Sequence, residues 1–280
     1  MKKITILLSV IFITSCSSSK ITSNDGVSRV LKTGDVMEMN SEEFLVSNNT
    51  WQLKTTDHFR FFFDKSINSD LQQDVIKSQE LNYTDLMNLM NLDEKELIKI
   101  NFWLFKDRAQ KKLLTTVDTD AHVISSIPSV YYLPKNATGA QEVGHVMTQS
   151  IWGFIPKTSN YALVIDEGFN YYIDAKRFYK TSMKDKLKAL NQSQSVNMVS
   201  IINANNGNRI NDVATGSHEV NESLISGAFV EFLIEEHGIS DFSKLWEEAT
   251  KSESANPNIF KIAYNKDLNQ LNKEFLNILK

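Results

Sequence analysis

Hydrophobic positions fall along this chain in three rhythms. Between Ile4 and Ile13 they run almost unbroken behind Lys2 and Lys3. That run is too short to span a bilayer as a mature helix, but it has the length of the apolar region of an export signal. From Ser17 to about Thr50 they are scattered among Ser, Asn, Lys, Asp and Glu with neither a helical nor a strand period. This predicts a tether, with residues 36–46 the one stretch that could pack a short element onto the body. As a flexible chain, about 30 residues would reach about 30 Å.

Beyond Thr50 the pattern tightens. Residues 57–64 (Asp-His-Phe-Arg-Phe-Phe-Phe-Asp) are aromatic and bounded by polar side chains, a strand signal, and 99–105 (Lys-Ile-Asn-Phe-Trp-Leu-Phe) is a second. Between them Leu71, Val75, Ile76, Leu81, Leu86 and Met90 space out a long helix over 69–90. Residues 122–134 read as one or two further strands broken near Pro128. The second half turns helical. Ala140, Val143, Met147 and Ile151 give residues 137–152 one buried face. Tyr161 to Ile165 is a short apolar approach to a helix running toward Phe178, with Asp166 at its N-cap. Residues 223–234 are nearly all apolar and predict a buried helix stopping at His237-Gly238, and helices over 241–249 and 268–279 close the fold. The expected class is α+β: a small N-terminal sheet with helices, then a mainly α-helical lobe.

Composition narrows the function. The 280 residues include 30 basic and 34 acidic side chains, 10 Gly, 4 Pro and 1 Cys. These values exclude collagen-like, low-complexity and disulfide-scaffold proteins, and the excess of acid argues against a nucleic-acid partner. Loss of the first 15 residues would leave 28 basic against 34 acidic groups. The lone cysteine, Cys16, closes the apolar run in Ile13-Thr14-Ser15-Cys16. That sequence resembles a bacterial lipobox. The resemblance implies a signal peptide over 1–15, acylation of Cys16, a lipid-anchored tether over 16–50, and a place on a membrane of the bacterial cell envelope, periplasmic or surface-facing. Each buried methylene of the acyl chains would add about 0.8 kcal/mol to attachment. With Cys16 so used, no thiol remains for a disulfide, and the domain depends on packing.

Candidate chemistry sits in Gln141-Glu142-Val143-Gly144-His145 and in Asp166-Glu167-Gly168-Phe169. In an H-E-x-x-H helix, two histidines four apart meet on one face and can hold one Zn²⁺, while the intervening Glu activates water. Here Gln141 stands at the first histidine. In order along the chain come strand 58–64, an edge-type strand 99–106, the Gln141 to His145 helix, Ala162-Leu163-Val164-Ile165-Asp166-Glu167-Gly168, the apolar helix to Gly238, and the last helix. This order resembles the gluzincin metallopeptidases, in particular the peptidase-MA-like domains of bacterial surface and exported proteins. The likeness extends from about residue 58 to the C-terminus. It implies one domain over 51–280, with a strand-bearing half (51–155) that includes the motif helix and a helical lobe (156–280).

Carried over, the resemblance makes His145 and Glu167 zinc ligands, places Gln141 at the third ligand position and makes Glu142 the general base. It also calls for a transition-state donor from the C-terminal lobe. His218, within 216–222, is the candidate, with no matching Tyr nearby. A carboxamide is an unusual zinc ligand, and structural zinc sites spread about 10–16 kcal/mol over about four donors, so the exchange weakens the site. A plainer alternative stays open: Glu142 and His145 as a solvated pair on the helix surface, with Glu167 an acid at a helix N-terminus. His58 and His122 read as packing or edge residues, His237 as a group at a helix C-terminus, and Asn205 to Asn208 as a turn. Three functions follow from these readings. One is a pseudo-peptidase binding a peptide or protein along its edge strand. The others are an active zinc endopeptidase with an atypical ligand set, and a lipoprotein that only scaffolds.

Overall fold

The computed structural model describes residues 51–280, apart from 94, 96–97, 157–158, 190–196, 205–219, 252–255 and 257, together with Ser19–Thr22 and Ser28–Leu31. Cys16 and His218 lie outside the described residues. Inside the stretch expected as a tether, Ser19–Thr22 (β1) and Ser28–Leu31 (β2) pair antiparallel. The aliphatic and β-branched residues Ile21, Thr22, Val30 and Leu31 favour that pairing.

The architecture is α+β. In chain order the body runs Trp51–Thr55 (β3), Phe59–Asp64 (β4), Ser69–Met90 (α1), Ile100–Leu104 (β5), Arg108–Thr115 (α2), Ala121–Ile124 (β6) and Ser129–Tyr132 (β7). Helices follow at Gln141–Ile151 (α3), Gly168–Asp174 (α4), Met183–Ala189 (α5), Met198–Ala204 (α6), Val220–His237 (α7), Ile239–Thr250 (α8), Asn258–Tyr264 (α9) and Leu268–Ile278 (α10). The sheet has the order β3-β4-β5-β7-β6. Its three inner strands are parallel, and the outer two run antiparallel to their neighbours.

Strand alternation divides the sheet's side chains between two cores. Phe59, Phe61, Phe63, Phe102, Leu104, Val130 and Tyr132 face the main core, which continues through α3, α4 and α7. Phe62, Trp103, Phe105 and Tyr131 face the other way, onto Trp51 and onto Leu114 of α2. Sequence patterning did not predict β3, α2, α5, α6 or α9. It also placed the strand at 99–106 on an edge, whereas β5 lies in the middle, hydrogen-bonded to β4 and β7. Burial on both faces explains its unbroken Phe102-Trp103-Leu104-Phe105 run. The edge strand on the side of α3 is β6, and the break near Pro128 is the turn of the β6–β7 hairpin.

Asp166 is not an N-cap. The chain enters a wide π-type turn at Ala162–Glu167, with the Gly168 N–H donating five residues back to the Leu163 carbonyl, and continues directly into α4. Gly168 is required there. A Cβ at this position would stand 2.9 Å from the Ser226 carbonyl oxygen on α7, so only glycine lets α4 and α7 approach this closely.

Candidate metal and peptide site

Helix α3 carries Gln141, Glu142 and His145, and lies on the main-core face of the sheet with Val143, Val146 and Met147 buried. Its first turn has no side-chain cap of its own. Asp174, at the end of α4, supplies one: its Oδ1 accepts from the Ala140 N–H at 3.1 Å, and the Gln141 N–H contributes too. Burial pushes the Asp174 carboxyl up to about 6 against those donors.

His145 is 7% exposed, which removes the solvated-pair reading. Both of its ring nitrogens face carboxylates from the π-type turn. Nδ1 lies 2.9 Å from Asp166 Oδ1, and Nε2 lies 3.5 Å from Glu167 Oε2. The wide turn brings two consecutive acids to opposite ends of one imidazole, a known use of π-bulges at functional sites. Burial opposes charge on the ring, but Asp166 and Glu167 outweigh it and raise its pKa well above the usual histidine value. The two acids thus favour a proton on the ring, and Asn170 Nδ2, 2.9 Å from Nδ1, packs against the same nitrogen.

Asp166 is itself fully held. Its Oδ2 accepts from Gln149 Nε2 at 3.2 Å, and its Oδ1 and carbonyl oxygen accept from Asn170 Nδ2 at 3.2 and 2.8 Å. The fit of Asn170 depends on Gly144, because a Cβ there would lie 2.3 Å from Asn170 Oδ1.

Glu142 is half-buried, and its pKa is pushed up to about 7 by burial, with Glu167 and Asp174 adding to the rise and His145 and Lys111 opposing it. Lys111, buried on α2, donates from Nζ to the Thr119 carbonyl at 2.9 Å and hydroxyl at 3.2 Å. Burial lowers its pKa to about 8, with Glu142 resisting the fall. A carboxyl poised near neutrality suits proton transfer.

The structure thus brings Glu142, His145 and Glu167 together, with Gln141 one helical turn before His145. Sequence reasoning missed Asp166 in this role, and also Gln149, Asn170, Lys111 and Tyr171. Two of these had a spacing signal: Gln149 is four residues after His145 and Tyr171 four after Glu167, positions that share a helix face. The Tyr171 hydroxyl pairs with Ser223, and burial raises its pKa with a further push from Glu167. His122 stacks on Tyr131 at 4.5 Å, on the sheet face opposite α3. His58 binds Glu80 at 2.5 Å and stacks on Tyr83, a packing role. His237, at the end of α7, lies 3.6 Å from Glu274.

The donor set can be tested against zinc. Two ligands at about 2.0–2.2 Å in tetrahedral geometry stand roughly 3.3–3.6 Å apart. The His145 to Glu167 separation of 3.5 Å, that of an ion pair, also meets that spacing, and Asp166 beside Nδ1 stands where an outer partner would orient a metal-binding imidazole. Among the described residues, however, no three His, Cys, Asp or Glu side chains converge on one point. The set is one strong donor short of a catalytic zinc centre. No protein-family model matches the chain, and no curated protein matches it. Among the described residues no helix is long and apolar enough to cross a membrane.

Proposed function

We propose that this chain is a membrane-anchored lipoprotein of the bacterial cell envelope, carrying a peptidase-MA-like gluzincin domain that binds an extended peptide and has lost most of its hydrolytic capacity. The observation that carries this reading is the half-kept ligand geometry. His145 Nε2 and Glu167 Oε2 stand at the spacing of two donors on one ion, while position 141 offers a carboxamide. Strand β6 supports the peptide part. It ends the sheet beside α3, and among the described residues no strand pairs with its outer edge, which suits strand addition.

In this reading zinc is bound weakly. When present it would supply Lewis acidity. The chain's own groups have separate tasks: Asp166 orients His145, Glu142 holds a proton near neutral pH, and β6 aligns a peptide backbone. The second reading, an active zinc endopeptidase with an atypical ligand set, is favoured by Glu142, which carries its acid in a place where burial disfavours the charge.

Zinc titration of the wild type, Gln141→His and His145→Ala separates the two. Helix spacing aims position 141 at the same point as His145, so Gln141→His is expected to bind zinc at least about a hundredfold more tightly than the wild type. His145→Ala should bind none. Tight stoichiometric zinc in the wild type, lost in His145→Ala and accompanied by peptide cleavage, would overturn the pseudo-peptidase reading in favour of the enzyme.

A further inference from the structure

The edge strand and the buried imidazole are connected by a continuous line of hydrogen bonds. Ser125 directly follows β6, and its hydroxyl donates to Gln149 Oε1. Gln149 Nε2 donates to Asp166 Oδ2 at 3.2 Å, and Asp166 Oδ1 lies 2.9 Å from His145 Nδ1. We propose that Gln149 and Ser125 are positioning residues that tie the β6–β7 hairpin to the His145 imidazole, so that a peptide seated on β6 and the orientation of that ring are coupled.

The polarity of the line makes the argument. A primary amide has one accepting and one donating end. With Nε2 committed to Asp166, Oε1 faces the hairpin and requires a donor there, which the Ser125 hydroxyl provides. Removing that hydroxyl frees the amide to turn, and Asp166 Oδ2 then loses its donor. The carboxylate would be left to His145 and Asn170, both on Oδ1, and free to rotate about that side. His145 and Gln149 lie four apart on α3 and grip the two oxygens of one carboxylate, so movement of either is felt by the other. The purpose assigned to the coupling rests on the peptide-binding reading above. The coupling itself does not.

The test uses the full chain with ¹⁵N-labelled histidine, without added metal or peptide. His145 is identified among the five histidines by the signal lost in His145→Gln. Ser125→Ala, two side chains away from the ring, should shift the His145 Nδ1 resonance in the same direction as Gln149→Leu. Amide exchange in β6 should become about fivefold faster, the effect of one net hydrogen bond. Ser125→Thr keeps the hydroxyl and should restore both signals. If Ser125→Ala leaves the His145 resonance in place, the line is only structural and the proposal is overturned, whatever happens to Gln149→Leu or to the unfolding midpoint. Because the readout needs no ligand, the peptide reading could fail with the coupling intact, and the reverse would remove the coupling alone.

Discussion

At the scale of single residues the site is a crowd of charges in a small space, and Glu142 bears the cost of it. Its pKa rises from 4.5 to about 7. Between those values the folded protein binds more protons than the unfolded chain, so stability falls as pH rises through the window, and the loss levels off about one unit above 7. Glu142→Gln removes the charge. We expect little difference from the wild type at pH 4 and a gain on the order of 1–3 kcal/mol at pH 8, read from urea midpoints at both values. A variant less stable than the wild type at pH 8 would mean that Lys111 and His145 hold the Glu142 carboxylate at a net profit. The sequence made part of this site legible. The spacing on α3 and the Glu167-Gly168 pair pointed to the acid and the imidazole that meet. Asp166 was misread because an Asp after an apolar run has the appearance of an N-cap, and nothing local announces a π-type turn that carries the helix straight through it. Lys111 left no trace, since its burial depends on how α2 lies under the sheet.

At the scale of elements, the contact that fixes the site is α4 on α7, made close by Gly168. A Cβ there meets the Ser226 carbonyl at 2.9 Å, its carbonyl carbon at 3.1 Å and Val230 Cγ2 at 3.0 Å, and two of the three are backbone atoms that cannot rotate away. Gly168→Ala is therefore expected to destabilise the domain by about 1–3 kcal/mol, despite alanine's better helix propensity, and to displace Glu167 from His145. Equilibrium urea unfolding checks the first effect. A Gly168→Ala variant as stable as the wild type would show that the two helices can part enough to admit a methyl group at this contact. Long periodic elements such as α1 and α7 were legible from spacing because one face, or nearly every face, of each is buried. Strand order was not, because a strand's neighbours are chosen by distant parts of the chain. For β5 the cue was present in Phe102-Trp103-Leu104-Phe105, a run with no polar alternation that belongs inside a sheet. Helix α2 escaped notice because Arg108, Gln110, Lys111 and Lys112 hide its short apolar stripe, although Asp107 caps it, its side chain accepting from the Gln110 N–H at 2.8 Å.

At the scale of the whole molecule, the candidate site lies where the strand-bearing half and the helical lobe meet. The motif helix α3 belongs to the first, and Asp166, Glu167 and the capping Asp174 come from the second. A ligand held by both halves stabilises their docking and the fold together. The N-terminal segment bears on where such a domain works. An apolar run of export-signal length that ends at the chain's lone cysteine predicts lipidation at Cys16. Two or more acyl chains hold a protein firmly to a bilayer, whereas a single chain gives only marginal, reversible attachment. Cys16→Ser removes the acceptor and leaves the apolar run in place. If the anchor is the lipid, fractionated cells should show this variant either released from the membrane pellet as soluble domain or retained only as the uncleaved precursor, which its greater length distinguishes from the processed, lipidated form. A variant that is processed to the same length and pellets as firmly as the wild type would place the anchor elsewhere in the chain, and the cell-envelope reading would then need another physical basis.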